Sequence, residues 1–479
     1  MNCYVIGIGG TGAKCIEALI HLCAAGLLPL GSKLFILFVD PDRANGSLGQ
    51  TRATLQAYQQ CQQGIDKGNI PLLNIPIETG SNEVWSPFSD MKQRPSLENI
   101  FQYSSMQDSR PDLANLLNVL YIPNERKTDL DVGFRGHPSI GAAVLATTVQ
   151  WQDPEWNLFR QKLRADVRVG SGARVFLFGS IFGGTGAAGL PTLLKLIGRE
   201  LKTIDPQGKH SQIGASLLLP YFTFVDDGSE PGLGANSENF LLNTKAALKY
   251  YGQQITAFDK VYLLGDDVPS QVNTFSKGGE RQKNNSHIVE LYAGLAAIDF
   301  FTGSKTQREP ECNFIARKSR DKIEWDDIPN SNEFKEKLAS LVRFSVAYRE
   351  YHQALRQPIK TGKILYKTWY QRFFLKPQID LTKDIAKIQL YQIRDYCELF
   401  LDWLTQIHQY CQSKKVELFR VEILQNFRKS EFGNLVYGLE NINEMEMLNR
   451  HFNDLKWENC EGLSLGKFIN GLYKTYKLP

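Results

Sequence analysis

The tetrapeptide Gly-Gly-Thr-Gly occurs twice, at 9–12 and at 183–186. Each copy follows a short unbroken apolar run and precedes a helical one. Residues 3–8 (Cys-Tyr-Val-Ile-Gly-Ile) lead into the first copy, and Ala13 to Ala25 follows with Ile16, Leu19, Ile20 and Cys23 on one stripe. Residues 174–178 (Arg-Val-Phe-Leu-Phe) lead into the second, and Leu190 to Leu201 follows. A short apolar run without alternation reads as a strand buried on both faces. Glycines then let the backbone turn tightly and let an anion come close, where free N–H groups and a positive helix end hold it. One such turn also occurs for packing alone. Two in one chain point to a ligand held from two sides.

Residues 33–39, 213–219 and 259–264 read as further strands. Strands alternating with helices imply a parallel sheet, because each parallel crossover needs a helix-length connection. The polar stretches 43–70 and 79–112, rich in Gln, Asn and Ser, read as insertions or long loops, and 266–286 as an exposed loop. From about residue 333 strand signals fade. Residues 333–356 and 383–412 carry apolar residues at helical spacing, such as Ile388, Tyr391, Ile393, Cys397, Phe400, Leu401 and Leu404, and 415–428 continue that way.

The charge balance bounds the function. The 479 residues carry 55 Lys+Arg against 51 Asp+Glu, too even for a nucleic-acid or membrane-surface binder by default. The helical tail, 351–479, is mildly basic, and the usual reading of such charge is a solvated face. Eight cysteines form no CxxC pair and have no histidine at zinc-finger spacing. Scattered thiols in a chain this long suggest a reducing, cytoplasmic compartment. The N-terminus has no basic n-region, and no stretch is apolar enough to span a membrane.

The first loop alone leaves alternatives open. Gly7-x-Gly9-Gly10-Thr11-Gly12 satisfies GxGxxG, and Asp40 after the second strand would serve as the ribose-binding acid of a dinucleotide site. A dehydrogenase, however, needs one such loop and gives Gly183–Gly186 no task. The lysine-bearing pattern GxxxxGK[ST] is missing, so the chain is not an ordinary P-loop protein.

Several motifs in one order resemble the tubulin/FtsZ superfamily, closest to its divergent bacterial members. Gly9, Gly10, Thr11 and Gly12 are similar to the first phosphate loop. Asp40-Pro41-Asp42 stands where FtsZ has Asn-Thr-Asp. Gly136-His137-Pro138-Ser139-Ile140-Gly141 resembles the γ-phosphate-sensing loop, with His137 in place of Asn and Ser139 in place of Glu. Phe182-Gly183-Gly184-Thr185-Gly186 resembles the signature loop, with Phe182 for its first glycine and Ala188 for its last. Pro220-Tyr221-Phe222-Thr223-Phe224 is similar to the Pro-Phe-x-Phe-Glu loop.

The resemblance implies a Rossmann-like, parallel-sheet α/β GTPase domain followed by a largely helical C-terminal region. It implies a nucleotide-binding domain over 1–265, a loop and central helix over 266–305, a catalytic-loop region over 306–350, and the helical region over 351–479. It implies GTP or GDP as ligand, with Mg²⁺ held through the phosphates and water and no metal site of the protein's own. Guanine would be read from the helix over 239–250 by Asn243, or by Asn239 four residues before it, and by Asn285 ahead of the central helix. The commoner role of such an Asn is a helix cap. Glu324 and Asp327 of Glu324-Trp325-Asp326-Asp327-Ile328 match the acidic positions of the catalytic loop, which acts on the nucleotide of the next subunit; the alternative is that these are turn residues. Head-to-tail assembly into filaments with hydrolysis between subunits is the implied function. The alternative is a weakly hydrolysing GTP- or GDP-binding scaffold that docks a protein partner through its C-terminal helices.

Overall fold

The computed structural model describes the chain except residues 135, 225–236, 255–256, 268, 273–278, 282–284, 305–310, 314–320, 357–362, 382, 411–414, 441–443 and 479; of residues 81, 82, 224, 237–239, 281, 363, 366, 384 and 410 it describes the backbone only. The chain opens β1 (Asn2–Ile8), α1 (Gly9–Ala24), β2 (Lys33–Val39), α2 (Gly46–Gly64) and β3 (Ile77–Trp85). Four short helices follow: α3 (Leu97–Ile100), α4 (Tyr103–Ser109), α5 (Pro111–Leu120) and α6 (Pro123–Lys127). Then come α7 (Pro138–Thr148), α8 (Pro154–Arg168), β4 (Ala173–Ser180), α9 (Thr185–Ile204) and β5 (Ser211–Leu218). The next stretch runs β6 (Phe222–Phe224), α10 (Ser237–Gln254), β7 (Lys260–Leu264), β8 (Ser270–Val272), α11 (Ile288–Thr302), β9 (Glu311–Asn313) and β10 (Lys322–Ile323). The tail is mainly helical, with α12 (Ser331–Arg356), α13 (Thr368–Tyr370), α14 (Asp384–Tyr410), β11 (Lys415–Val416), α15 (Val421–Gln425), α16 (Met445–Asp454) and α17 (Leu465–Tyr476).

Seven strands form one sheet in the order β3-β2-β1-β4-β5-β7-β9, every pair parallel. The central strands are buried on both faces, as their unbroken apolar runs require. Cys3 and Val5 of β1 point into one core with Ile16 and Leu19 of α1 and Leu291 of α11. Tyr4, Ile6 and Ile8 point into the other with Val144 of α7, Phe159 of α8 and Leu193 of α9. The sheet is therefore doubly wound, α/β as the strand and helix pattern implied.

The C-terminal helices share the first core rather than building a separate one. α14 packs on α2 and α12, and α17 on α12. His21 of α1, fully buried, sits among the rings of Tyr396, Phe400 and Trp403 of α14. Burial in this apolar cage pushes its imidazole down to about 3.

Several local expectations need correction. Residues 43–70 are no long loop but hold α2, started by Asn45, whose Oδ1 accepts the Ser47 and Leu48 N–H groups. Its Gln-rich composition hides a buried stripe of Leu48, Thr51, Leu55, Tyr58 and Cys61. The stretch 79–112 contains most of β3, an edge strand paired with β2, and the helices α3 and α4. Residues 415–428 do not continue the long helix. β11 pairs with β10, and His408 Nε2 accepts the Phe419 N–H at 3.0 Å just past the helix end. The apolar stripe of α14 excludes Ile388, which is 53% exposed. Within 266–286, β8 pairs with β6.

Candidate functional site

β1 and β4 are neighbours in the sheet, yet the helices after them go to opposite faces, α1 to one core and α9 to the other. This is the point where the winding reverses, and it opens a crevice outside the carboxyl ends of both strands. The two Gly-Gly-Thr-Gly loops are the turns on either side of that crevice.

The loops, numbered along the chain as 9–12 (first), 40–42 (second), 136–141 (third) and 183–186 (fourth), touch at glycines of the first, third and fourth. Gly9 has φ +72°, a left-handed conformation, so the chain passes from strand to helix within one residue. A Cβ there would lie 3.2 Å from the Thr185 Cβ. A Cβ on Gly184 would lie 2.9 Å from the Gly136 N and 3.2 Å from the Phe134 Cβ, closer than the backbone of the third loop tolerates. The first, third and fourth loops thus form a continuous floor. Together with Asp40, Asp42 and Asn45 they line a cleft of about 120 Å³.

Three helices start at this floor, and none has a side-chain cap: α1 after Ile8, α7 after His137 and α9 after Gly184. The first N–H groups of a helix have no partner within it, and the helix end carries partial positive charge. At α2 the Asn45 side chain takes these donors. At α1 and α9 no cap takes them, which leaves the first turns ready for an anion.

The charged side chains in the cleft are Lys14, Asp40 and Asp42 among the described residues. Lys14 is already engaged: its Nζ lies 2.5 Å from Glu290 Oε1 and donates to the Asn285 carbonyl at 2.7 Å. The Tyr221 hydroxyl donates to the same Glu290 oxygen at 2.6 Å and is also bonded to Thr11. Glu290 Oε2 accepts the His287 N–H at 2.9 Å and closes a capping box at the start of α11. Asp42 accepts the Ala44 and Gly279 N–H groups. Asp40 is different. Its Oδ1 accepts the Asp42 N–H at 3.0 Å, while its buried Oδ2 has no hydrogen-bond partner. Desolvation, aided by the Asp42 charge, pushes its carboxyl up to about 8. An oxygen left free beside a floor of anion-binding donors fits a hydrated divalent cation.

Of the residues singled out in the sequence, Gly9, Gly10, Thr11, Asp40, Asp42, Gly136, Gly183, Gly184, Thr185 and Gly186 line the cleft. Gly12 lies beneath it, where a Cβ would meet the Phe178 carbonyl oxygen at 2.7 Å. His137 is turned to Glu125, its Nδ1 3.8 Å from Oε1, and is not part of the lining. Asn243 does not line the cleft either. Its Nδ2 donates to the Phe182 and Gly136 carbonyls at 3.0 and 3.3 Å, tying α10 to the fourth and third loops. Asn285 contributes its carbonyl to Lys14. The side chain of Asn239 lies outside the described residues. The helix cap before α11 is His287 rather than Asn285.

Glu324 and Asp327 are away from this lining and close a turn. Asp327 Oδ2 accepts the Glu324 N–H at 2.9 Å, and Lys322 Nζ lies 2.6 Å from Glu324 Oε1. Glu324 stays half-exposed.

Sequence reasoning passed over Lys14, Asn45, Phe134, Ser180 and Phe240, all in the lining. Asn45 had a readable signal, a capping residue just before a glycine-started helix. Lys14 sits two residues past Gly12, but its partner Glu290 is on a distant helix, which no local pattern shows. Phe182, Phe222 and Phe240 close one end of the cleft as a ring cluster, with centroids 4.8 to 6.0 Å apart.

No family model and no curated protein matches the chain. Solved structures similar to it include the following three. CetZ2 from Haloferax volcanii, a GTPγS-bound protofilament, is 16% identical over 65% of this chain and 64% of that one, with a TM-score of 0.30. CetZ1 from Haloferax volcanii, a GDP-bound monomer, is 14% identical over 55% of this chain and 51% of that one, TM-score 0.27. TubZ from Bacillus thuringiensis serovar israelensis, a GTPγS-form protofilament, is 12% identical over 64% of this chain and 57% of that one, TM-score 0.26. The chain spans less than two thirds of the length of each. At such identities and scores the likeness adds nothing to the site, whose chemistry rests on this chain's own residues. Among the described residues no helix is long and apolar enough to cross a membrane.

Proposed function

We propose that the chain is a tubulin-like GTP-binding protein that assembles head-to-tail and hydrolyses GTP between subunits. The observation that carries the reading is the meeting of both Gly-Gly-Thr-Gly loops and Gly136 on one floor, at the ends of uncapped helices. The phosphates would lie on Gly9, Gly10, Thr11, Gly183, Gly184, Thr185 and Gly186, with Gly136 at the terminal one. Backbone N–H groups and helix starts supply the positive potential, since Lys14 is held by Glu290. The ring cluster of Phe182, Phe222 and Phe240 offers an apolar end for the base. Mg²⁺, when bound, would neutralise phosphate charge, and Asp40 and Asp42 are the carboxylates that would hold it through water. The use of both loops in one cleft speaks against a dinucleotide oxidoreductase, which needs only the first.

Hydrolysis in trans assigns Glu324 and Asp327 to a neighbour's nucleotide, where a carboxylate would orient the attacking water. Their present bonds within one turn favour a second reading, a scaffold that holds GTP or GDP with little turnover and docks a partner through its C-terminal helices. GTP turnover per molecule across a tenfold concentration range, with sedimentation of the same samples, separates the two. Turnover that rises with concentration together with GTP-dependent pelleting supports the assembling GTPase. Asp327→Ala is then expected to lower turnover by about tenfold to a hundredfold, leaving nucleotide binding unchanged. Flat, negligible turnover with nucleotide still bound supports the scaffold.

A further inference from the structure

A second cavity lies farther along α10 from the ring cluster, toward the C-terminal end of the helix. Helices α7, α9 and α10 border it as an open groove of about 690 Å³, larger than the cleft. The geometry of α10 explains the space. Near one end Asn243 ties the helix to the Gly136 and Phe182 carbonyls. Near the other Tyr251, 3% exposed, packs against Phe258. Between the two ties the groove-facing residues are Ala246, Ala247 and Tyr250. The two alanines face Ala142, Ala146 and Ala187 of the other walls, and these short side chains leave the gap open, with Leu145 and Leu196 at its floor and edges.

The lining has a definite chemistry. It is mostly apolar, and its charged members are Lys195 and Arg199, one helical turn apart on α9. Both are exposed, and neither has an ion-pair partner among the described residues. Lys195 lies over the Tyr250 ring at 5.4 Å. Among the described residues no acidic one lines the groove. Tyr251 also lines it, and its buried hydroxyl makes no hydrogen bond. A buried donor without an acceptor is uncommon in a folded chain and marks a place where an acceptor is missing.

We propose that this groove is a binding site, separate from the nucleotide cleft, for an amphipathic organic anion with a flat apolar body and a single acidic group. The apolar body lies between the alanines of α7 and α10. The acidic group meets Lys195 and Arg199. An acceptor on the body takes the Tyr251 O–H.

The test uses the full chain in native buffer and 8-anilinonaphthalene-1-sulfonate, a flat apolar anion that fluoresces when its surroundings dry. The site predicts saturable binding at one dye per chain. Ala247→Phe fills the groove and is expected to abolish it. Lys195→Glu, an exposed change that spares the fold, is expected to weaken it by about tenfold, since it removes one ionic contact and reverses its charge. Saturating GTP is expected to leave the dye in place. Binding that survives both Ala247→Phe and Lys195→Glu, or that GTP displaces, would overturn the proposal. So would a groove-filling change that instead dissociates an oligomer in sedimentation, because the occupant would then be a second copy of this chain.

Discussion

Helices α1 and α10 both border the cleft and are built in opposite ways. α1 is buried over all but two of its sixteen residues, between the sheet, α2 and α11, and even its Lys14 and Glu17 are inside. α10 buries only Phe240 and Tyr251 among its described side chains and leaves Leu241 and Leu242 about two thirds exposed, at 68% and 66%. The glycine-loop end of the cleft therefore rests on a helix that cannot move without opening the core. The other end rests on a helix held by two ties. A floor of backbone donors needs rigidity to position a ligand, whereas the loosely tied α10 leaves space along its inner face, at the ring cluster and at the groove farther along.

The comparison can be broken first at α1. Glu290→Ala would leave the Lys14 ammonium and the Tyr221 hydroxyl buried without their shared acceptor. A loss of about 3–5 kcal/mol in urea unfolding is expected. A loss under about 1 kcal/mol would mean that α1 is not held by this network. The floor is tested next. Gly184→Ala places a methyl against the Gly136 N–H and is expected to weaken GTP at least about a hundredfold by calorimetry, roughly 2.7 kcal/mol. Gly198→Ala on the same helix meets nothing within 4 Å and is expected to leave affinity unchanged.

Asp40 sharpens the same side through pH. Its folded carboxyl is held at about 8, above its ordinary value, so the native state keeps a proton that the unfolded chain releases from about pH 4 upward. Its contribution to the stability of the nucleotide-free protein is present below pH 4 and is lost as pH rises toward 8. Asp40→Asn removes that slope, and a melting point higher than the parent by roughly 2–4 °C at pH 8.5, but not at pH 4, is expected. The smallest effect belongs to α10. Asn243→Ala cuts one tie and is expected to cost about 1–2 kcal/mol of stability, with GTP weakened about tenfold as the third and fourth loops loosen. An effect on GTP as large as that of Gly184→Ala would mean that α10 is part of the floor.

How much of this was legible in sequence depended on range. β1, β2, β4 and β5 are continuous apolar runs, so their burial on both faces is written locally. α2 was hidden because its buried stripe mixes Thr and Cys with Leu and Tyr among glutamines, and mean polarity reads as a loop. The repeated tetrapeptide located both turns, and neighbouring strands brought them together. What Asn243 meets was not legible: helical spacing gives it a face, but the two carbonyls it bonds come from loops far away in the chain. Lys14 and Glu290 were silent for the same reason. The pair is one interaction in space and two unrelated letters in the sequence.

The central claim is that the two glycine loops hold one nucleotide's phosphates. Titrating GTP into the full chain with Mg²⁺ present, followed by calorimetry, tests it most directly. The account predicts saturable binding of one GTP per chain, competed by GDP and by pyrophosphate. No binding of GTP or GDP, or binding that pyrophosphate leaves untouched, would contradict it.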